Sequence, residues 1–273
     1  MRLITLLILL ACSTCCFCQD LPRKYGHIHT KLFLSPTPNN SLVVAFGGSE
    51  GGNTFADEPT KEVRKDFLRR GFHFLAVGYF GGRGLPKNLE RISLSAISDT
   101  IQNIGQKLGI SYKKMLLVGA SRGGELVLNL SCRFDFMGVV AIVPSNITIP
   151  SYMKKQTTSS WTFNDTEVPY YDIGEELVEN EGWANAITQS LATLDQNHPG
   201  VIPIENINGF VLLTSGKEDK LWPSYEMCGK MIDRLNKKNF QFPFEHIAFN
   251  DGHDATSHWP RIFSFLDQQL HEK

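Results

Sequence analysis

From residue 41 onward, short apolar runs alternate with longer stretches in which apolar residues return every three or four positions. "SLVVAFGG" reads as a short buried strand ending in glycines. "EPTKEVRKDFLRRG" reads as a helix with Pro59 near its first turn and Gly71 at its end. "FHFLAVG" is the next strand. In "SLSAISDTIQNIGQKLG" the residues Leu94, Ile97, Ile101, Ile104 and Leu108 fall on one stripe and Gly109 closes the segment, which predicts a helix. The rhythm continues with "MLLVG" as strand and "SRGGELVLNLSCR" as helix, then "GVVAIV" and "GFVLLTSG" as strands. "PSYEMCGKMIDRLNKK" as helix, "FEHIAF" as strand and "WPRIFSFLDQQLHEK" as helix complete it. Strands that are apolar on both faces, separated by amphipathic helices, predict a mostly parallel sheet covered on both sides. "YGHIHTKLFLSP" predicts an antiparallel edge strand. Residues from about 144 to 205 break the rhythm and are rich in Pro, Thr, Ser and aromatics. They predict a cap insertion over the C-terminal edge of the sheet, where ligands bind in sheets of this kind.

One boundary in this pattern carries chemistry. In "MLLVGASRGGELVL" Ser121 sits where a strand ends and a helix begins, with Gly119 and Gly123 on either side. G-x-S-x-G at such a junction is the nucleophile-elbow pattern, and the helix start places backbone N–H groups beside the serine. The competing reading is a glycine-rich turn with a capping serine. A serine hydroxyl needs a base, and the base needs an acid to orient it. "GFVLLTSGKEDKLWPS" offers Asp219 just after a buried strand, with Glu218 as its neighbour and competitor. "FEHIAFNDGHDATSHWP" offers His253 in a turn after the last strand, with His246 and His258 as competitors. The order Ser121, Asp219, His253 is that of an α/β-hydrolase. Oxyanion donors are expected from the backbone of Gly48 or Ser49 in "AFGGSEGGN", alongside Arg122 after the serine. That glycine-rich loop has neither G-x-x-x-x-G-K-[ST] nor G-x-G-x-x-G, which argues against a phosphate-binding loop.

Several segments together resemble a known family: "VAFGGSEGG", "VGYFGGRGLPKNLERISL", "GASRGGEL", "SSWTFNDTEVPYYDI", "PIENINGFVLLTSGKEDKLWPS" and "NDGHD". They look like the C-terminal catalytic domain shared by acyl-CoA thioesterases and bile acid-CoA:amino acid N-acyltransferase, over residues 30 to 270. The resemblance implies an α/β-hydrolase fold of the dienelactone-hydrolase-like kind, with Ser121 as nucleophile, Asp219 as acid and His253 as base. The amino-acid-transferring members carry cysteine at the nucleophile position, where this chain has serine, so the resemblance implies hydrolysis over conjugation. Intracellular members carry an N-terminal β-sandwich domain, whereas a leader precedes the domain here. Trp161, Phe163, Tyr170 and Tyr171 are candidates for an acyl pocket, Trp161 and Tyr170 foremost, against the alternative that they pack the insertion onto the sheet. Arg122 and Glu125 read as a structural ion pair.

Composition adds limits. A 273-residue chain with formal net charge -1 has no charge footprint for nucleic acid or an anionic membrane. No linker or repeat divides it, so residues 19–273 read as a single domain. "MRLITLLILLACSTCCFCQD" carries Arg2 before the apolar run Leu3 to Ala11, too short for an ordinary membrane span. It reads as a signal peptide over 1–18, hence a secreted or periplasmic protein. The alternative is a lipobox ending at Cys12 and a membrane-anchored lipoprotein. Four of the six cysteines lie in this leader, and Cys132 and Cys228 alone do not make a disulfide framework. Asn39, Asn129, Asn146 and Asn164 stand in glycosylation sequons. The expectation is a serine hydrolase acting on a small-molecule ester or thioester, with no cofactor and no metal. The alternatives are an acyltransferase to an amine or alcohol, or a non-catalytic binding module on a hydrolase scaffold.

Overall fold

The structure, a computed structural model, describes residues 21–153, 156–254 and 258–271. The predicted leader 1–18, with Cys12, and the pair Lys154 and Lys155 lie outside the described residues. In chain order the first half gives β1 (His29–Phe33), β2 (Leu42–Phe46), α1 (Lys61–Arg69), β3 (His73–Gly78), β4 (Ile92–Ser93) and α2 (Leu94–Leu108). β5 (Met115–Ala120), α3 (Arg122–Ser131) and β6 (Gly138–Ile142) follow. The interrupting segment contains β7 (Pro150–Met153), β8 (Gln156–Ser159), β9 (Trp161–Phe163), β10 (Thr166–Glu167), α4 (Glu175–Glu181) and α5 (Trp183–Ala192). β11 (Phe210–Gly216), α6 (Ser224–Lys237), β12 (Phe244–Phe249) and α7 (Trp259–His271) complete the chain.

Seven strands form one sheet in the order β1-β3-β2-β5-β6-β11-β12. β1 runs antiparallel to β3, as the edge-strand reading expects, and the other neighbours are parallel. The period of two along a strand divides the core between the two faces. Leu42, Val44 and Phe46 meet Leu94, Ile97 and Ile101 of α2, Leu126 of α3 and Met231 of α6. Val43 and Ala45 point the other way, to Phe67 of α1 and Trp259, Ile262 and Phe263 of α7. Each Val, Leu, Ile, Phe and Met among these contributes roughly 1.5–3 kcal/mol on burial, so both helical layers are held by area rather than by any single contact. α2 is capped by the preceding Ser93, whose hydroxyl accepts the Ala96 N–H at 3.1 Å and so satisfies one of the free donors of the first turn.

A strand pairing and an apolar cluster join the insertion to the body. β9 pairs parallel with β4 and antiparallel with β10, making a three-stranded sheet. Ile147, Ile149, Ile187 and Leu191 pack with Trp222 and Met227 of the body in a third apolar cluster. The sequence pattern does not predict β4: two residues are too few to show a period, and their pairing with β9 defines them.

Candidate active site

The sharp turn after β5 is visible in the backbone. Ser121 has φ 56° and ψ −119°, a conformation that side-chain-bearing residues rarely adopt. Its N–H donates to the Ile142 carbonyl at 2.8 Å, and its own carbonyl accepts from Glu125 at 3.1 Å, the first turn of α3. The flanking glycines are required sterically. A Cβ at Gly119 would lie 2.0 Å from the Gly123 carbonyl oxygen, and one at Gly123 would lie 2.3 Å from that of Gly47. The turn therefore holds Ser121 Oγ above the C-terminal edge of the sheet, at the positive end of a buried helix.

His253 and Asp219 arrive from the loops after β12 and β11. His253 Nε2 lies 2.9 Å from Ser121 Oγ, and His253 Nδ1 lies 2.8 Å from Asp219 Oδ2. The Asp219 side chain is 1% exposed and that of His253 18%. Burial alone would raise the Asp219 carboxyl. Hydrogen bonds from His253, Ser224 and the Leu221 N–H outweigh it and hold the group below the usual carboxylate range. An ionised Asp219 can only accept, so Nδ1 carries the imidazole proton and Nε2 is left to accept from the Ser121 hydroxyl. Asp219 Oδ1 also accepts the N–H groups of Leu221, at 3.0 Å, and Trp222, at 3.3 Å. Trp222 stands edge-on to the imidazole, with centroids 4.8 Å apart, and is itself fixed by donating Nε1–H to the Val143 carbonyl at 3.2 Å. The competing groups lie elsewhere. His246 Nε2 pairs with Ser215 Oγ at 2.7 Å, His258 stacks on Phe249 and faces Asp251, and Glu218 is exposed.

Two cavities meet at Ser121. One is an open cleft of 440 Å³, lined among others by Ser49, Leu89, Trp183, Leu221, Trp222 and His253. The other is a smaller space of 310 Å³ walled by Phe55, Pro59, Val63, Ala120, Ile142 and Trp259. Of the expected oxyanion donors, Gly48 is corrected: its N–H donates to Glu50 Oε1 at 2.9 Å and is not free. The amides of Ser49 and Arg122 have no hydrogen-bond partner among the described residues. Arg122 is the first residue of α3, whose opening N–H groups lack partners within the helix. Glu50 itself was not expected in the site. Its signal was present in "GGSEGG", a single charge between glycines.

The insertion contributes Ile149, Pro150, Ser151, Ser160 and Trp183 to the cleft, but Trp161 and Tyr170 do not line it. Trp161 is fully buried and donates Nε1–H to Glu125 Oε1 at 2.6 Å. Tyr170 lies against Gly200, within the insertion. The expected pair of Arg122 and Glu125 forms and ties the elbow to the insertion. The Arg122 guanidinium bonds Glu125, Ser160 Oγ and the Ile149 carbonyl, and Glu125 Oε1 also accepts the Ile149 N–H at 3.2 Å. Burial pushes the Glu125 carboxyl up to about 7 against the pull of Arg122 and Trp161. Among the described residues no group of His, Cys, Asp and Glu is arranged to hold a metal ion, and no helix is long and apolar enough to cross a membrane.

A family model described as "BAAT / Acyl-CoA thioester hydrolase C terminal" matches residues 92–257, well over half of the chain. The chain belongs to this family. Human acyl-coenzyme A thioesterase 6 is 25% identical over 228 residues, 81% of this chain and 51% of that protein. Mouse bile acid-CoA:amino acid N-acyltransferase is 22% identical over 219 residues, 78% of this chain and 49% of that protein. The chain thus spans about half the length of the curated relatives it matches. Among solved structures, esterase PE8 superposes with a TM-score of 0.55 at 14% identity, covering 88% of this chain and 98% of that one. The monoacylglycerol lipase of Paleococcus ferrophilus gives 0.54 at 16% identity, covering 90% and 100%. With the sheet order above, these likenesses establish the α/β-hydrolase fold for this BAAT / acyl-CoA thioester hydrolase family member.

Proposed function

We propose that the protein is a serine hydrolase that cleaves a carboxylic ester or acyl thioester through an acyl-enzyme. The observation that carries this reading is the continuous hydrogen-bonded chain Ser121–His253–Asp219 on a strained strand-to-helix turn. Ser121 Oγ attacks the acyl carbon while its proton passes to His253 Nε2, and Asp219 stabilises the imidazolium. The oxyanion takes hydrogen bonds from the N–H groups of Ser49 and Arg122. The C–O or C–S bond then breaks, and the leaving group departs with the proton held by His253. Water enters, gives a proton to the same nitrogen and attacks the acyl carbon. The acid is released and Ser121 recovers its proton. The acyl group sits in the smaller apolar cavity and the leaving group in the open cleft. Export as a secreted or periplasmic protein is part of the proposal and rests on the apolar run Leu3 to Ala11. A mature chain beginning at Gln19 is its expected product, with a lipidated Cys12 as the alternative outcome.

The test is labelling by a fluorophosphonate together with turnover of short aryl esters. Wild type should label and turn over, and Ser121→Ala should do neither, with kcat lower by several orders of magnitude because the three groups act as a unit. A folded wild type that neither labels nor cleaves any ester, thioester or amide would make the chain a binding module on a hydrolase scaffold. Near-wild-type turnover by Ser121→Ala would remove the nucleophile.

A further inference from the structure

The loop 47–52, Gly-Gly-Ser-Glu-Gly-Gly, sets one carboxylate at the junction of the two cavities, and Glu50 borders both. One oxygen is occupied: Oε1 accepts the Gly48 N–H at 2.9 Å and the Thr54 hydroxyl at 2.6 Å. Oε2 accepts no hydrogen bond among the described residues. It lies 3.0 Å from the place a Cβ would occupy on Gly48, and Ser121 Cβ lies 3.0 Å from that same place. The second oxygen is therefore no more than twice that distance from the nucleophile's own carbon. The charges around it differ in kind. Arg122 also lines the cleft, but its guanidinium is turned into the protein, onto Glu125, the Ile149 carbonyl and Ser160 Oγ. Glu50 has no ion-pair partner among the described residues, so it leaves the cleft with an unmatched negative charge beside Ser121.

We propose that Glu50 is a specificity-determining residue whose free carboxylate oxygen favours a cationic leaving group and disfavours an anionic one. This rests on the acyl-enzyme reading above. Because Glu50 is solvent-exposed, water screens its field and the discrimination is modest, about fivefold, which is ~1 kcal/mol and the upper end of what exposed ion pairs contribute. The alternative role is a staple that only shapes the loop through Gly48 and Thr54. Glu50→Gln separates the two, because the amide oxygen can still accept both hydrogen bonds while the charge is gone.

The experiment compares kcat/KM for the acetyl thioesters of thiocholine and of 3,3-dimethylbutanethiol, which share a shape and differ by one positive charge. Wild type should favour the cationic thioester by about fivefold, added salt should shrink that ratio, and Glu50→Gln should bring it to near one. A wild-type ratio already near one, or a ratio that survives in Glu50→Gln, overturns the proposal. If Glu50→Gln turns over neither, the dissociation constants of both thioesters on Ser121→Ala, with and without Glu50→Gln, are measured by calorimetry and must show the same loss of discrimination. Turnover of both thioesters without discrimination counts against Glu50 alone. A folded wild type that cleaves neither, nor any other ester, counts against the acyl-enzyme reading itself.

Discussion

Asp219 shows how one carboxylate is held ready for a histidine. Its second oxygen faces His253 and its first accepts two backbone N–H groups, so the side chain cannot turn away. Asparagine at this position keeps the oxygen that faces Leu221 and Trp222 but presents an NH₂ group to Nδ1. The imidazole then carries its proton on Nε2 and cannot take one from Ser121. Asp219→Asn should therefore fold and lose ~10³–10⁴ in kcat. The same substitution has a signature in stability. A carboxyl whose folded pKa lies below its unfolded value, ~3.9 for aspartate, stabilises the fold above that unfolded value. The contribution disappears as pH falls through the folded pKa. Urea unfolding of wild type and Asp219→Asn should show a stability gap at pH 5 that narrows below about pH 4. A gap that widens toward acid would mean that the pairing with His253 does not stabilise the ionised form.

Strand and helix positions were largely legible because burial on both faces leaves continuous apolar runs, and the order Ser121, Asp219, His253 follows those runs. The insertion was less so. Aromatic residues in an irregular segment mark either a pocket wall or a packed seam, and only the pairing of β9 with β4 decides between them. It turns Trp161 inward, onto Tyr79 at 5.9 Å and Glu125, rather than toward the cleft. In the same way, "GGSEGG" predicts close backbone approach but not which amide is free, because the Gly48 N–H is taken by a side chain two residues on. Trp161 thus belongs to stability more than to substrate. Trp161→Phe removes the Nε1–H donor from a buried carboxylate and should cost ~1–3 kcal/mol in denaturant unfolding. KM for a short aryl ester should stay near the wild-type value. A shifted KM with undiminished stability would return Trp161 to the acyl pocket.

The relatives are named for coenzyme A chemistry, and the charge around the cleft bears on whether this chain shares that substrate. Coenzyme A carries phosphates, and a protein that recognises them presents cationic groups in reach. Arg122 and His253 are the basic side chains among the described residues that line the cleft. Arg122 is committed to Glu125, and His253 to Ser121 and Asp219. Arg83 is exposed and does not line the cleft. Lys154 and Lys155, in the same insertion, lie outside the described residues. Glu50 adds a negative charge where the leaving group would pass. We therefore expect the cleft to handle the acyl group and the bond being cut, and to gain little from the nucleotide half of coenzyme A. Measured as kcat/KM, an acyl-CoA should do little better than the same acyl group on a small uncharged thiol. A ~100-fold preference for the CoA thioester, worth ~2.7 kcal/mol of transition-state binding, would defeat this expectation. Loss of that preference in a Lys154→Ala, Lys155→Ala double variant would then locate the phosphate contacts in the insertion.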